Sequence, residues 1–398
     1  MLKQKVFSRY HKPLIELPNL AEAQTTSFRW LMEKGVKELL KEFSPISDYS
    51  GKKFELHLSD PVFTEPTYNE YYAKENKLSY EVQLKITARL INKTLGTEKE
   101  QEIFLSDFPI QTDHGTFIIN GVERVVVSQL IRSFGVLFTS QEFRGKEYFG
   151  AKIIPSRGAW IEIETEPNKS LQVRIDRKRK FPITHLLRIL GAQSNDEIKA
   201  LFADNQQALP YIEKTLASDT AQNRDDSFIE IYRKLRDGEL ATADNARDFV
   251  NSIFDTERYD LSEVGRFRFN QRFKKPLDKK AIAQRKLSLD DIVTIIGYII
   301  HLNETPDSQP DDVDDLASRR VRFVGEMMQQ KMRVGFARMK RNIQDRMSII
   351  ESETTLPMQI INPRPLQAQI REFYSTNQLS QFMAQENILS ELEHLRIF

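Results

Sequence analysis

Cysteine is absent from all 398 residues of this chain. That absence removes disulfides, thiolate zinc sites and thiol nucleophiles together, and it suits a reducing compartment. Long apolar runs are missing too. Nothing approaches the roughly 18 residues that span a bilayer, and Met1-Leu2-Lys3-Gln4 does not open a signal peptide. The expected location is the cytoplasm, with no membrane partner. Charge of one sign is lacking as well: 58 Lys and Arg face 57 Asp and Glu for a net +1, so only local segregation of charge can point to a partner. The histidines His11, His57, His114, His185, His301 and His394 are scattered, without the i, i+4 pair of a zinc helix. No Gly-rich loop is followed by Lys-Ser or Lys-Thr, and no Gly-x-Ser-x-Gly elbow occurs, so phosphate-loop and serine-hydrolase chemistry lack their residues. No catalytic residue, metal ligand or cofactor is expected in this chain.

What is present reads as an α+β protein long enough for two or three domains. Thr116 to Ile119 and Val122 to Val127 are β-branched-rich runs separated by Asn120-Gly121, a pair that tolerates the positive φ of a type I′ hairpin. Upstream, Ala21 to Glu42 spaces Phe28, Leu31, Val36, Leu39 and Leu40 as on a helix that Pro45 stops. Phe54 to Phe104 alternates in short pieces and reads as strands leading into the hairpin. Downstream, Ile161 to Glu164 and Val173 to Asp176 alternate as a small β unit. A mainly helical stretch follows from Ile183 to about Leu302, broken by Gly191, Pro210 and the Arg236-Asp237-Gly238 turn. Asn303 to Pro310 is linker-like and marks a domain border.

Beyond the linker, Asp311 to Asp315 precedes a helix expected over Ser318 to Met347. One face is apolar. The other carries Arg319, Arg320, Arg322, Lys331, Arg333, Arg338, Lys340, Arg341 and Arg346 against Glu326 and Asp345. Such a face suits phosphates, although solvated helix faces look similar. The aspartates have two readings, a divalent-cation cluster or a negatively charged helix entrance favoured by the dipole. A second amphipathic region is expected from Glu372 to Phe398.

Several blocks carry a resemblance, in one order along the chain. They include Pro18-Asn19-Leu20, the run Asp113 to Gln129 (DHGTFIINGVERVVVSQ), Ile154 to Trp160 (IPSRGAW), Val173 to Lys180 (VRIDRKRK), Arg319-Arg320-Val321-Arg322 and Gln378 to Met383 (QLSQFM). Together they resemble the N-terminal part of the β subunit of bacterial-type, multisubunit DNA-directed RNA polymerase. The resemblance implies a protrusion domain of mixed sheet and helices, 1–145 and 311–372. An α+β lobe, 146–310, is inserted into it, and 373–398 enters the fork and rifamycin-pocket region.

It also implies roles. Trp160 matches a tryptophan that stacks on a non-template base, a task for a large rigid π-face; the residue-level alternative is a core aromatic. Asp314 and Arg319 match a pocket for a non-template guanine, whose edge Arg and Asp can read. Arg157, Arg322, Arg338 and Arg341 are the further residues expected at DNA. Gln378, Phe382 and His394 match a rifamycin pocket, but Ala384 and Ile388 depart from the usual Asp and Pro there, and Phe134 replaces a usual Pro.

The implied partners are the remainder of β, the β′ subunit, the α dimer, a sigma factor, both DNA strands and nascent RNA. Mg2+ belongs to β′ in the assembled enzyme, so this chain is expected to be non-catalytic alone. The ending at His394-Leu395-Arg396-Ile397-Phe398 departs from the family's wording and suggests a split subunit, a partial gene or a frameshift. Two functional classes follow: a segment of an enzyme subunit, or a free-standing module that binds DNA or polymerase.

Overall fold

The computed structural model describes residues 18–221, 223–236, 242–255, 258–350 and 355–397. His11, the Asp237-Gly238 turn and Phe398 lie outside them. Two units emerge, one formed by Met1–Leu130 with Val321–Phe398 and the other by Ile131–Arg320. The chain starts with α1 (Glu22–Trp30), a π-helical turn (Leu31–Gly35) and α2 (Val36–Phe43). Strands β1 (Ile46–Ser47), β2 (Phe54–Leu58) and β3 (Val62–Phe63), the short helix α3 (Glu70–Glu75), then β4 (Glu81–Asn92) and β5 (Thr97–Pro109) follow. Next come β6 (Phe117–Ile119), β7 (Val122–Val126) and β8 (Gln129–Arg132), which leads into the second unit.

The hairpin forms as the sequence predicts. Asn120 and Gly121 adopt φ of 51° and 79°, and Ile119 pairs with Val122 across the two-residue turn. Glycine is needed at 121 for a second reason: a Cβ there would sit 2.6 Å from Lys77 Cα. Within the strands predicted from Phe54 to Phe104, α3 is an unforeseen helix. Asn69 caps it by accepting the Tyr72 N–H at 2.8 Å, as Asn does at an N-terminus.

The second unit carries an antiparallel sheet in the order β13-β12-β11-β10-β9. Its strands are β9 (Gly135–Phe143), β10 (Lys146–Ile154), β11 (Ile161–Thr165), β12 (Leu171–Ile175) and β13 (Phe181–Pro182). Helices α4 (Ile183–Leu190), α5 (Asn195–Ala200), α6 (Leu209–Ala217), α7 (Arg224–Leu235) and α8 (Ala243–Phe254) come next. They are followed by α9 (Ser262–Arg272), α10 (Lys279–Ile282) and α11 (Leu289–Glu304). Phe138, Ile153, Ile163 and Val173 of the sheet share one buried core with Leu186, Leu187, Ile295 and Ile299 of the helices. Inside that core Arg188, fully buried, meets Asp219 at 2.7 Å, and His185 lies 3.5 Å from the same carboxylate.

A 3₁₀ turn (Leu316–Ser318) and β14 (Arg319–Arg322) lead back to the first unit, and β14 pairs with β8. The helix expected from Ser318 therefore begins only at Val324, as α12 (Val324–Ile349). Arg319, Arg320 and Arg322 lie on a strand, because pairing with β8 overrides their helical propensity. The remaining elements are α13 (Pro357–Ile360), α14 (Arg364–Ser375), β15 (Ser380–Phe382) and α15 (Ile388–Arg396). The amphipathic region expected from Glu372 comprises the end of α14, β15 and α15. Ser380 to Phe382 is drawn into pairing with β7.

In the first unit, β1, β2, β4 and β3 form a sheet in that order, with β5 on β4. Leu56, Leu84, Ile86 and Leu105 of this sheet pack with Leu31 and Leu39 and with the apolar stripe Met328, Met332, Phe336, Met339 and Ile343 of α12. Each fully buried side chain of this kind contributes about 1.5–3 kcal/mol. Gly335 lets α14 close on α12, since a Cβ there would stand 2.9 Å from Leu366 Cα.

The second compact unit runs from Ile131 to Arg320. Arg144 and Gly145 are the turn of the β9–β10 hairpin, whose nine paired positions hold both strands in one sheet. Residues 311–320 stay with the same unit: the Asp311 N–H donates to the Phe138 carbonyl at 2.8 Å, the Phe138 N–H donates to the Asp311 carboxylate at 2.8 Å, and the Ser133 N–H donates to the Ser318 carbonyl at 2.9 Å. Phe373 lies within α14.

Candidate nucleic-acid interface

In the inserted unit the loop before β11 presents Trp160. Its footing is the preceding Arg157, which forms a β-bridge with Asp260: the Arg157 N–H donates to the Asp260 carbonyl at 3.1 Å, and the reverse bond is 2.9 Å. Arg157 also lies 3.8 Å from the Asp260 carboxylate, so its guanidinium helps fasten the loop. Trp160 is half-buried and outside the core. Its carbonyl accepts the Asp176 N–H at 2.8 Å. That bond brings up a turn in which Asp176 and Arg177 take φ of 51° and 58°, conformations tolerated by Asp and costly for Arg.

The turn sets the Arg177 guanidinium 5.5 Å from the Trp160 ring centroid. Arg177, Lys178 and Arg179 are exposed there, while Lys180 turns back to Glu164 and Glu166 at 2.7 Å each. An aromatic face beside exposed cations is what a single-stranded nucleotide needs, stacking for the base and charge for the phosphate. The run Arg177 to Lys180 was visible in the sequence. Its place beside Trp160 was not, since it depends on the return of β12 along β11.

The aspartate segment resolves into separate tasks. Asp311 takes a two-pronged contact from Arg272 at 2.6 and 2.8 Å. Asp312 accepts the N–H groups of Asp314 and Asp315 at 2.9 and 3.2 Å, and Asp315 accepts that of Ala317 at 2.9 Å. These carboxylates shape a turn and do not enter a helix dipole, because α12 starts well beyond them. They do not converge as a cation site either: among the described residues no three His, Asp or Glu side chains are grouped as metal ligands. Asp314 is left exposed. Asp311, Asp312, Asp315, Ser318, Arg268 and Arg272 wall a cleft of about 320 Å³. Neither Asp314 nor Arg319 lines it.

In the other unit the basic residues divide. Arg322 donates to Gln330 Oε1 at 3.0 Å and also to Gln129 Oε1. Arg333 grips Glu42 at 3.2 Å, Lys331 meets Glu372 at 2.9 Å, and Arg346 donates to the Gln359 carbonyl at 3.0 Å. These side chains fasten α12 to its own unit. Arg338 and Arg341 are exposed, and no hydrogen bond or ion pair to a described residue holds them.

Gln378, Phe382 and His394 come together around β15 and α15. Gln381 Nε2 donates to the Gln378 carbonyl at 3.2 Å, and His394 Nε2 lies 3.1 Å from Gln381 Oε1. His394 Nδ1 accepts the Ala384 N–H at 3.2 Å, so the proton sits on Nε2 and the ring is neutral. Burial holds its pKa below the ordinary histidine value. Phe382 is 64% exposed, with the Arg124 guanidinium 4.5 Å from its ring centroid.

Among the described residues no helix is long and apolar enough to cross a membrane. The inserted unit, with its five-stranded meander and helical cover, is of the RNA polymerase Rpb2 domain 2 type: residues 135–322 match the family model of that name. The chain as a whole is similar to the β subunit of DNA-directed RNA polymerase and matches the N-terminal portion of that subunit. It is 43% identical over 392 residues to the DNA-directed RNA polymerase subunit beta of Syntrophomonas wolfei, covering 98% of this chain and 34% of that protein. It is also 43% identical over 383 residues to the subunit of the same name from Gloeobacter violaceus, covering 96% of this chain and 34% of that protein. The chain therefore spans about a third of the length of the curated relatives it matches.

Proposed function

We propose that this chain serves as the N-terminal segment of a transcribing RNA polymerase's β subunit, with the Rpb2-type domain as the lobe, the flanking unit as the protrusion and the region from 373 as the start of the fork. The observation that carries this reading is the identity running through both units in one continuous match of 392 residues. Its role is to hold DNA in the cytoplasm, and its partners are the rest of β, β′, the α dimer and sigma factor. Trp160, flanked by Arg177, stacks a base of the non-template strand; Asp314 and Arg319 read a guanine edge; Arg338 and Arg341 lie along phosphates. Arg157 and Arg322 act indirectly, by bracing the backbone that carries these groups.

Bond formation belongs elsewhere in the assembly. Asp311, Asp312 and Asp315 are committed to Arg272 and to backbone N–H groups, and the reading assigns the pair of magnesium ions to β′. Gln378, Phe382 and His394 line the path of nascent RNA, where rifamycins bind in the family.

The test uses a reconstituted polymerase containing this segment. Trp160→Ala removes a stacking platform worth roughly 1–3 kcal/mol, and Asp314→Ala weakens guanine discrimination by a similar roughly 1–3 kcal/mol. Both should alter open-complex lifetime on templates that differ only in the non-template base. A uniform loss on every template would reject base reading. Nucleotide incorporation by the rigorously purified chain alone would reject the non-catalytic assignment.

A further inference from the structure

Helix α3 and the bend before it display three tyrosines to solvent: Tyr68, in the bend, is 43% exposed, and Tyr71 and Tyr72, on the helix, are 81% and 47% exposed. Tyr68 and Tyr72 stack on each other with centroids 5.1 Å apart and planes at 18°, and no hydrogen bond to a described residue engages any of the three hydroxyls. Isolated exposed aromatics are ordinary, but a cluster marks a contact surface.

The element beneath them is firmly held. Ala73 is fully buried. The Gly121 N–H donates to the Leu78 carbonyl at 2.8 Å, the Asn120 N–H to Ser79 Oγ at 3.1 Å, and the Tyr80 N–H to the Ile118 carbonyl at 2.9 Å. Lys74 adds an ion pair with Glu123 at 2.7 Å. The tyrosines thus stand on a platform bolted to the β6–β7 hairpin, and a partner meeting it loses little conformational entropy.

Charge decides what that partner is. Glu65 and Glu75 are exposed, as is Asp113, and Glu70 is partly so. The carboxylates of Glu70 and Asp113 both face Tyr80, whose phenol is raised first by burial and then by these two charges. Within 65–77 the cations are Lys74, already neutralised by Glu123, and Lys77. A phosphate backbone is repelled by such a surface. Arginine or lysine is attracted twice, by the carboxylates and by the tyrosine π-faces.

We propose that the α3 face of this unit is a docking surface for a basic, arginine-bearing protein segment, separate from the DNA-holding residues. The experiment titrates the full chain into a fluorescein-labelled Arg-Gly repeat peptide, with a Glu-Gly repeat peptide and an oligo(dT) strand as comparisons. Hydrogen–deuterium exchange locates the contact. The expected result is binding of the Arg-Gly peptide with protection of residues 65–77. Tyr71→Ser combined with Tyr72→Ser lowers its affinity by about tenfold at unchanged thermal stability. Glu70→Gln combined with Glu75→Gln lowers both affinity and its salt dependence. Protection elsewhere, loss of affinity in the carboxylate variant but not the tyrosine variant, or protection of 65–77 by oligo(dT) would each overturn the assignment.

Discussion

The guanidinium of Arg177 lies 5.5 Å from the centre of the Trp160 ring, so the residue proposed to stack a base is already partnered by a cation from the neighbouring turn. A base arriving at this face meets the Arg177 side chain first. On the proposed reading, that side chain would take the adjoining phosphate.

Arg177→Ala and Trp160→Ala should therefore differ in kind. Loss of Trp160 weakens single-stranded DNA binding by roughly 1–3 kcal/mol at any salt concentration. Loss of Arg177 lowers the slope of log affinity against log salt by about 0.7, the value for one phosphate contact on a single strand. Fluorescence titrations over a salt series distinguish the two, and equal slopes in Arg177→Ala and the unmodified chain would remove the phosphate role.

On α12 the same measurement separates working cations from bracing ones. Arg338→Ala with Arg341→Ala should reduce the salt slope on duplex DNA by up to about 1.8, two contacts of about 0.9 each. Arg333→Ala should leave the slope alone and lower thermal stability, because its guanidinium spends itself on Glu42. A changed slope in Arg333→Ala alone would reverse the assignment.

The buried cluster of the inserted unit predicts a large stability effect. Asp219 accepts from Arg188 at 2.7 Å, with both side chains almost wholly buried. Asp219→Ala strands the guanidinium without its counter-charge and should cost about 3–5 kcal/mol. His185 beside it is kept below its ordinary pKa chiefly by burial, against the pull of Asp219. Denaturant unfolding of the chain checks the magnitude.

His394 predicts a local pH response. The folded ring is neutral and its pKa is depressed by burial, so the unfolded segment binds a proton more readily than the folded one. Stability from this contact is fully present above about 6.5, the unfolded value, and is lost as the pH falls below it. A proton on Nδ1 removes the acceptor of the Ala384 N–H. The protection factor of the Ala384 amide, the unprotected exchange rate at the same pH divided by the observed one, should fall as the pH drops from about 7 to 5, and His394→Gln should abolish that dependence.

The sequence by itself determined whatever depends on near neighbours. Asn120-Gly121 makes its hairpin because the pair accepts positive φ. Alternation along β4 and β12 places every second residue inward, and the apolar stripe of α12 marks the face that is buried. The likeness to the polymerase β subunit, too, was legible from ordered motifs.

Tertiary structure alone decided the rest, for one physical reason: the deciding partner lies far away in sequence. Arg319 to Arg322 became a strand because β8 is there to pair with it. Arg333 and Arg322 were taken out of the basic face by Glu42 and Gln129, close to 200 or more positions earlier in the chain. Asp311 to Asp315 could not be told from a cation site until Arg272 and the backbone N–H groups claimed their oxygens. Trp160 could be read as core or surface until the turn at Arg177 folded back beside it. Periodicity and turn chemistry report which residues a strand or helix will bury; which charged side chains remain available to a partner is settled only when the chain has finished neutralising its own.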